Sequence, residues 1–157
     1  TRNVLVESAR IARGEIKDLK EFDAGNFDAL ILPGGFGAAK NLCNFAIKGA
    51  DCQVNPEVAR AIKDMHAAKK PIGALCISPV IIAKVLGEVE LTVGQDEGTI
   101  EKVEEMGGQH IQTTHGDVVY DSDHNVFTTP CYMLEADILQ IYEGTSNIVE
   151  AMRQIMD

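Results

Sequence analysis

The chain lacks the features of a nucleic-acid-binding or membrane protein. Its 157 residues carry 14 Lys and Arg against 24 Asp and Glu, which gives a formal net charge of −10. Nucleic acids and anionic membranes are bound by basic patches, so this charge argues against both partners. No apolar run approaches the roughly 20 residues of a membrane-spanning helix. No signal peptide is visible at Thr1.

The cysteines lack the spacing of a metal site. Cys43, Cys52, Cys76 and Cys131 form no Cys-x-x-Cys pair, so we predict no structural zinc. The composition, 45% hydrophobic and 24% charged, is that of an ordinary globular core that needs no disulfide framework. We therefore predict one domain over residues 1–157 in a reducing compartment.

Apolar runs alternate with helical patterns along the chain. Residues 28–32 and 72–75 are short apolar runs typical of strands buried on both faces. Asn55-Pro56 predicts a helix start. Strands are further predicted at 90–93 and 109–112, a hairpin at 118–121 and 125–128, and two last helices separated at Gly144. This alternation indicates an α/β fold with a mostly parallel sheet and helices on both faces.

Cys76 follows the second apolar run, where a helix should begin. Ala74 and Ser78, two residues before and after it, are both small. This spacing is typical of a nucleophile elbow, a strand-to-helix turn too tight for larger side chains. A helix N-terminus beside the sulfur favours a thiolate. The alternative is a buried structural cysteine; we favour a reactive thiol.

A glycine-rich loop, Pro33-Gly34-Gly35-Phe36-Gly37, follows the first apolar run. Glycines let the backbone approach a ligand closely and direct N–H groups inward. Beside a reactive cysteine, one such N–H and that of Ile77 would form an oxyanion hole. The alternative is a tight loop without a ligand. The glycine-rich segment is not a phosphate-binding loop, because the Gly-Lys-Ser/Thr ending of such loops is missing.

No histidine adjoins Cys76, although a cysteine hydrolase needs a base. His66 falls within a predicted helix, His110 in or beside a short strand and His124 in a turn; His115, in a loop, is the only plausible base. The sequence therefore argues against an ordinary Cys-His-acid triad.

Three other residues near predicted strand ends have two interpretations each. Cys131 could act as a resolving thiol for Cys76, but we favour a core cysteine. Asp96 and Glu97 could face the site, but we favour a solvated helix start.

The residues resemble a known superfamily. Residues 28–35, Asp-Ala-Leu-Ile-Leu-Pro-Gly-Gly, followed by the Cys76 turn, resemble the class I glutamine amidotransferase-like superfamily and, within it, the Parkinsonism-associated deglycase/PfpI group. Within this group, four segments resemble the ElbB branch, which is also called sigma cross-reacting protein or enhancing lycopene biosynthesis protein. These segments are Arg2-Asn3-Val4-Leu5, Ala9-Arg10-Ile11, residues 34–42 and Thr128-Thr129-Pro130. The resemblance covers nearly the whole chain.

The resemblance implies a flavodoxin-like three-layer sandwich with a mostly parallel sheet and a small β-hairpin. It also implies a homodimer and a cofactor-free, metal-free glyoxalase III-type lyase that turns glyoxal into glycolate. Cys76 matches the nucleophile, and Gly35 and Ile77 match the backbone donors of the oxyanion hole. The alternatives are a redox-sensing or stress-related binding protein with an oxidisable cysteine and, from the superfamily alone, an amidotransferase partner.

Family members begin with a further strand and helix, whose loop supplies a glutamate that hydrogen-bonds the thiol. This N-terminal segment is absent before Thr1, and we expect it to exist physically and to complete the fold. The branch name links it to isoprenoid biosynthesis. The implied location is cytoplasmic, with mitochondrial as the alternative.

Overall fold

The structure, a computed structural model, describes residues 2–156. Its α-helices and strands alternate along most of the chain, and their bounds are as follows: α1 Val4–Ile11, β1 Leu30–Leu32, α2 Phe45–Lys48, α3 Pro56–Ala67, β2 Ile72–Leu75, α4 Pro79–Leu86, β3 Glu90–Leu91, α5 Glu97–Glu105, β4 Gln109–His110, β5 Val119–Asp121, β6 Val126–Thr129 and α6 Ile138–Gln154. A π-helical turn spans Ala38–Leu42, and short 3₁₀ turns span Leu19–Glu21, Ala24–Asn26, Gly49–Asp51 and Cys131–Met133.

The main sheet has four strands in the order β1-β2-β6-β5. Strands β1, β2 and β6 are parallel, and β5 pairs antiparallel with β6. A separate parallel pair is formed by β3 and β4. The predicted α/β class with a mostly parallel sheet is confirmed.

Alternate residues of β2 face two different layers. Ile72 and Ala74 join a core cluster with α3 and α4, whereas Leu75 joins Phe127, Ile148 and Met152 on the side of α6. This alternation is the two-residue period of a strand. The sheet therefore lies between helical layers, and the carboxyl ends of β1, β2 and β6 meet at one edge.

Helix α3 shows how local signals produce the fold. The Asn55 side chain accepts hydrogen bonds from the N–H groups of Glu57 and Val58, and Pro56 occupies the first turn. Ile62 and Met65 are completely buried. The helix thus begins at the predicted cap and buries one face in the core cluster that also contains Ile72 and Ala74 of β2.

The prediction that residues 28–32 form a strand buried on both faces is wrong. Strand β1 covers only Leu30–Leu32, and Ile31 is 40% exposed. The reason is the position of β1 at the edge of the sheet, where β2 is its sole paired neighbour among residues 2–156. Ile31 therefore sits at the margin of the layer that α6 forms over Gly73.

The predicted break at Gly144 is also wrong. A single helix, α6, runs from Ile138 to Gln154 through Gly144. It begins with a capping box, in which Asp137 and Gln140 exchange side-chain and backbone hydrogen bonds. Gly144 is buried, and a Cβ atom there would lie 3.2 Å from Thr129 Oγ1. The glycine serves close helix–sheet packing rather than helix termination.

The predicted hairpin is confirmed as β5 and β6, but β6 has a second role. It pairs in parallel with β2 through Ile72–Val126 to Leu75–Thr129, so it is a central strand of the main sheet. All four residues of β6 are buried.

Within residues 2–156, no helix combines the length and apolar character that crossing a membrane requires.

Candidate functional site

Cys76 lies in the turn between β2 and α4, at the carboxyl edge of the main sheet. Its φ angle is 58°, in the left-handed region that non-glycine residues rarely adopt. Its N–H donates to the Thr129 carbonyl over 3.1 Å, and the Ser78 N–H donates to the Leu75 carbonyl over 3.0 Å. These two hydrogen bonds hold the turn in a conformation that costs on the order of 1–3 kcal/mol.

The two small residues around Cys76 are fully buried. Ala74 and Ser78 both have no exposed surface. Ala74 packs in the core cluster beneath the sheet, and Ser78 directly precedes α4. Larger side chains at these positions would displace core atoms. This explains why the sequence has small residues two positions before and after Cys76. The Cys76 side chain itself stays partly exposed.

The glycine-rich loop presses against the Cys76 turn. Gly34 has φ +93°, and a Cβ atom there would lie 2.5 Å from the Leu75 carbonyl oxygen and 2.9 Å from Cys76 Cβ. Only glycine fits this approach. At Gly35, with φ +82°, a Cβ atom would meet nothing within 4 Å, so open space begins directly beside the thiol's turn.

Two backbone donors at this edge have no acceptor. Within the part of the chain that the structure describes, the N–H groups of Gly35 and Ile77 make no hydrogen bond. Gly35 follows the residue that contacts Cys76, and Ile77 is its chain neighbour. Two unpaired donors therefore belong to residues that flank the Cys76 turn in the structure and in the chain.

The other side of the edge is formed by the residues after β6. A Cβ atom at Gly94 would lie 3.1 Å from Pro130 Cβ, so the loop after β3 reaches the same place. The Thr129 hydroxyl donates to the Asp117 carbonyl over 2.8 Å. The glycine loop, Cys76, Gly94 and Thr129-Pro130 therefore lie at one edge, where the carboxyl ends of parallel strands meet.

Cys131 lies next to Cys76, with its φ angle at 44°. It packs against the cluster of Leu75, Phe127 and Ile148, yet it stays partly exposed. Burial, together with the charge of Cys76, raises the pKa of the Cys131 thiol. Hydrogen bonding with Thr145 and with the Cys76 backbone lowers it, but the net effect is a raised pKa. The core interpretation of Cys131 therefore captures its packing but misses its contact with Cys76.

Two histidines lie at the opposite end of the sheet. The rings of His66 and His124 stack with centroids 5.3 Å apart, and His124 Nδ1 lies 3.0 Å from Asp121 Oδ2. His124 precedes the start of β6, whereas Cys76 adjoins its end. Neither residue can act on the thiol, in agreement with the prediction.

The remaining histidines make no contact with Cys76 that could activate it. Burial lowers the pKa of His110, partly offset by Glu104 and the Gly94 backbone. His115 belongs to the loop that Thr129 and Asn147 anchor. Among residues 2–156, no histidine hydrogen-bonds to the Cys76 thiol.

The acidic residues considered for the site are accounted for elsewhere. Asp96 caps α5 by accepting from the Thr99 N–H over 2.9 Å, and Glu97 is exposed in the first turn. The solvated helix start is therefore confirmed.

A groove of about 920 Å³ is lined by residues between Gly14 and Phe27 and includes no residue of the Cys76 edge.

No group of three or more His, Cys, Asp or Glu residues is arranged to hold a metal ion in the described range 2–156. The edge around Cys76 combines one thiol, a second thiol and backbone donors, which suits covalent chemistry of a carbonyl carbon or oxidation of sulfur.

The fold matches solved structures. An isoprenoid biosynthesis protein with an amidotransferase-like domain from Ehrlichia chaffeensis superposes with a TM-score of 0.89 and 34% identity, over 98% of this chain and 71% of that chain. A Schizosaccharomyces pombe DJ-1 mutant superposes with a TM-score of 0.54 and 22% identity, over 90% of this chain and 66% of that chain. The second likeness shows the fold alone.

Curated relatives match almost the whole chain. The mitochondrial ES1 protein homolog of Rattus norvegicus is 46% identical over 99% of this chain. The human mitochondrial glutamine amidotransferase-like class 1 domain-containing protein 3 is also 46% identical over 99% of this chain. The chain spans 62% and 61% of the lengths of these relatives.

No protein-family model matches the chain. Its similarity to the Ehrlichia protein nevertheless extends over the fold, the sequence and most of both chains. The chain therefore belongs to the class I glutamine amidotransferase-like superfamily, in the ElbB branch that its sequence resembles.

Proposed function

We propose that this protein is a cofactor-independent glyoxalase-like enzyme that acts on glyoxal and other 2-oxoaldehydes through Cys76. One observation supports this proposal most. Cys76 lies in a left-handed turn and is partly exposed, and the N–H groups of its neighbour Ile77 and of Gly35 in the adjacent glycine loop have no acceptor among the described residues. A nucleophile and two donors that share one open edge suit addition to a small carbonyl compound.

The proposed reaction begins when the Cys76 thiolate attacks the aldehyde carbon. The new C–S bond makes a hemithioacetal. Hydrogen bonds from the Gly35 and Ile77 N–H groups stabilise the negative charge that develops on the carbonyl oxygen. A proton then moves from the former aldehyde carbon to the neighbouring carbonyl carbon, which leaves a thioester of the 2-hydroxy acid. Water hydrolyses the thioester and frees the thiol.

The proton transfer requires a base, which we expect to be a carboxylate. In the described residues, no carboxylate hydrogen-bonds to the Cys76 thiol, so the proposal assigns this role to no residue of the range 2–156. The predicted N-terminal loop glutamate fits the role by its chemistry.

Glyoxal and methylglyoxal turnover tests the proposal. The products, glycolate and lactate, are measured for the wild type and for Cys76→Ser. Cys52→Ala is the matched control, because Cys52 is a buried cysteine (2% exposed) in another region. We expect Cys76→Ser to lose turnover and Cys52→Ala to keep it. Full activity in Cys76→Ser would refute the mechanism.

A redox-sensing protein with little turnover is the second candidate. The partly exposed Cys131 beside Cys76 favours it, since oxidation of an accessible cysteine needs no base to move a substrate proton, whereas aldehyde turnover does. Peroxide treatment and mass measurement separate the candidates: fast selective oxidation of Cys76 without aldehyde turnover supports sensing.

An amidotransferase role is disfavoured. The names of the human and Ehrlichia proteins contain "amidotransferase-like", but glutamine hydrolysis by a cysteine requires a base, and no histidine contacts Cys76 within residues 2–156. Glutaminase activity of the isolated protein would reverse this conclusion.

The assembly and location remain proposals as well. The rat, human and zebrafish relatives are named as mitochondrial proteins, which supports the mitochondrial alternative over the cytoplasmic one for this chain. The homodimer implied by the resemblance stays a prediction, and light scattering of the purified protein tests it.

A further inference from the structure

Cys76 and Cys131 follow two strands that pair directly. Leu75 of β2 is in register with Thr129 of β6, so the cysteines stand one and two residues beyond a matched pair. Neighbouring strands lie about 4.7–4.9 Å apart, and a disulfide joins Cα atoms about 4.4–6.8 Å apart. The register of the sheet therefore brings the two cysteines to neighbouring positions just beyond the paired strands.

Hydrogen bonding joins the two positions more closely. The Cys76 N–H donates to the Thr129 carbonyl over 3.1 Å, and the Cys76 backbone is near enough to the Cys131 thiol to affect its pKa. The chain between Thr129 and Cys131 consists of Pro130 alone, which begins the 3₁₀ turn Cys131–Met133.

Both cysteines hold strained backbone conformations. The φ angles of Cys76 and Cys131 are 58° and 44°, and only three other described non-glycine residues have a positive φ. Such conformations cost on the order of 1–3 kcal/mol each and concentrate at functional positions. Two strained cysteines that meet at the open edge are not explained by core packing.

The two thiols differ in a way that assigns their roles. Both are partly exposed, so a small oxidant reaches the pair. Burial, only partly offset by hydrogen bonds with Thr145 and the Cys76 backbone, raises the pKa of the Cys131 thiol. A raised thiol pKa slows oxidation of Cys131, so we assign the first attack of the oxidant to Cys76, which lies in the strand-to-helix turn.

We propose that Cys131 is the resolving thiol of Cys76, and that a hydroperoxide converts the pair into a reversible Cys76–Cys131 disulfide. In the first step the Cys76 thiol takes one oxygen from the hydroperoxide and becomes a sulfenic acid, while the hydroperoxide is reduced to water or an alcohol. In the second step the Cys131 sulfur attacks the Cys76 sulfur. The S–S bond forms, the S–O bond breaks, and the hydroxyl leaves as water with the Cys131 proton.

The disulfide has a consequence for the same site. It consumes the Cys76 sulfur, so no aldehyde can add, and it prevents irreversible oxidation to the sulfinic acid. The inference shares with the proposed function the reactivity of Cys76, but it requires no turnover. The pair would thus switch the site off under peroxide and restore it under a dithiol reductant.

Hydrogen peroxide treatment followed by intact-mass measurement and peptide mapping tests the proposal. We expect the wild type to lose two hydrogens and to yield a peptide that links Cys76 to Cys131, and dithiothreitol should reverse both. Cys131→Ala should instead gain two oxygens on Cys76, and dithiothreitol should not remove them. Cys52→Ala is the matched control, because it removes a buried cysteine from another region, and it should behave like the wild type.

Two results would overturn the proposal: a wild type that gains two oxygens on Cys76 as fast as Cys131→Ala does, or a Cys76 that peroxide leaves unchanged. Mapping of the wild type alone decides the question if Cys131→Ala does not fold. A linked peptide without glyoxal turnover contradicts the proposed function and supports the disulfide. Turnover without a linked peptide contradicts the disulfide alone.

Discussion

The contact between Gly34 and the Cys76 turn predicts a large cost for one methyl group. In Gly34→Ala the new Cβ would lie 2.5 Å from the Leu75 carbonyl oxygen and 2.9 Å from Cys76 Cβ. The alanine would also have to adopt φ +93°. A left-handed residue costs about 1–2 kcal/mol, and overpacking costs about 1–3 kcal/mol. We therefore expect the free energy of unfolding to fall by about 2–5 kcal/mol.

Gly35→Ala is the matched control for this prediction. It has a similar φ of +82°, but its Cβ would meet nothing within 4 Å, so the variant should lose only about 1–2 kcal/mol. Urea unfolding at equilibrium measures both variants. The alkylation rate of Cys76 should change in Gly34→Ala, because relief of the clash moves the turn. Equal stability losses in the two variants would refute the close approach.

Two further predictions concern stability away from the edge. Asp121→Asn should lower the free energy of unfolding by about 1–3 kcal/mol at neutral pH, because an amide nitrogen cannot accept a hydrogen bond. Burial raises the pKa of Asp121, but hydrogen bonds from the Glu90 and His124 N–H groups and the His124 ring outweigh this and hold it below its ordinary value. The stability from this group is therefore present above the unfolded-state pKa and lost as pH falls through the folded-state pKa. Urea unfolding across this range should show the gap between wild type and variant closing in acid, and a gap that is constant at every pH would contradict the account. Asp137→Ala removes half of the capping box with Gln140 and should cost about 0.5–2 kcal/mol in thermal unfolding; an unchanged melting temperature would contradict this role.

Features with a local physical cause were predictable from the sequence. The Asn55-Pro56 start of α3 depends on one side chain and its neighbours, and the Cys76 turn depends on two small residues that must be buried. The gathering of Cys76, the glycine loop and Thr129-Pro130 at one edge follows from parallel strands, which align their carboxyl ends.

Features that depend on distant contacts were not predictable in the same way. Gly144 is a helix breaker by local propensity, yet its contact with Thr129 makes it a packing position inside α6. The exposure of Ile31 depends on the strand order of the sheet. The contact of Cys131 with Cys76 depends on the register of β2 and β6, which no short motif reveals.

The most direct test of the central claim is the steady-state rate of glycolate formation from glyoxal, measured for the wild type, Cys76→Ser and Cys52→Ala under reducing conditions. We expect turnover in the wild type and in Cys52→Ala, and its loss in Cys76→Ser, because a serine hydroxyl is a much weaker nucleophile than a cysteine thiolate. Equal rates in all three proteins, or no turnover in the wild type, would contradict the claim that Cys76 is the nucleophile of a glyoxalase-like enzyme.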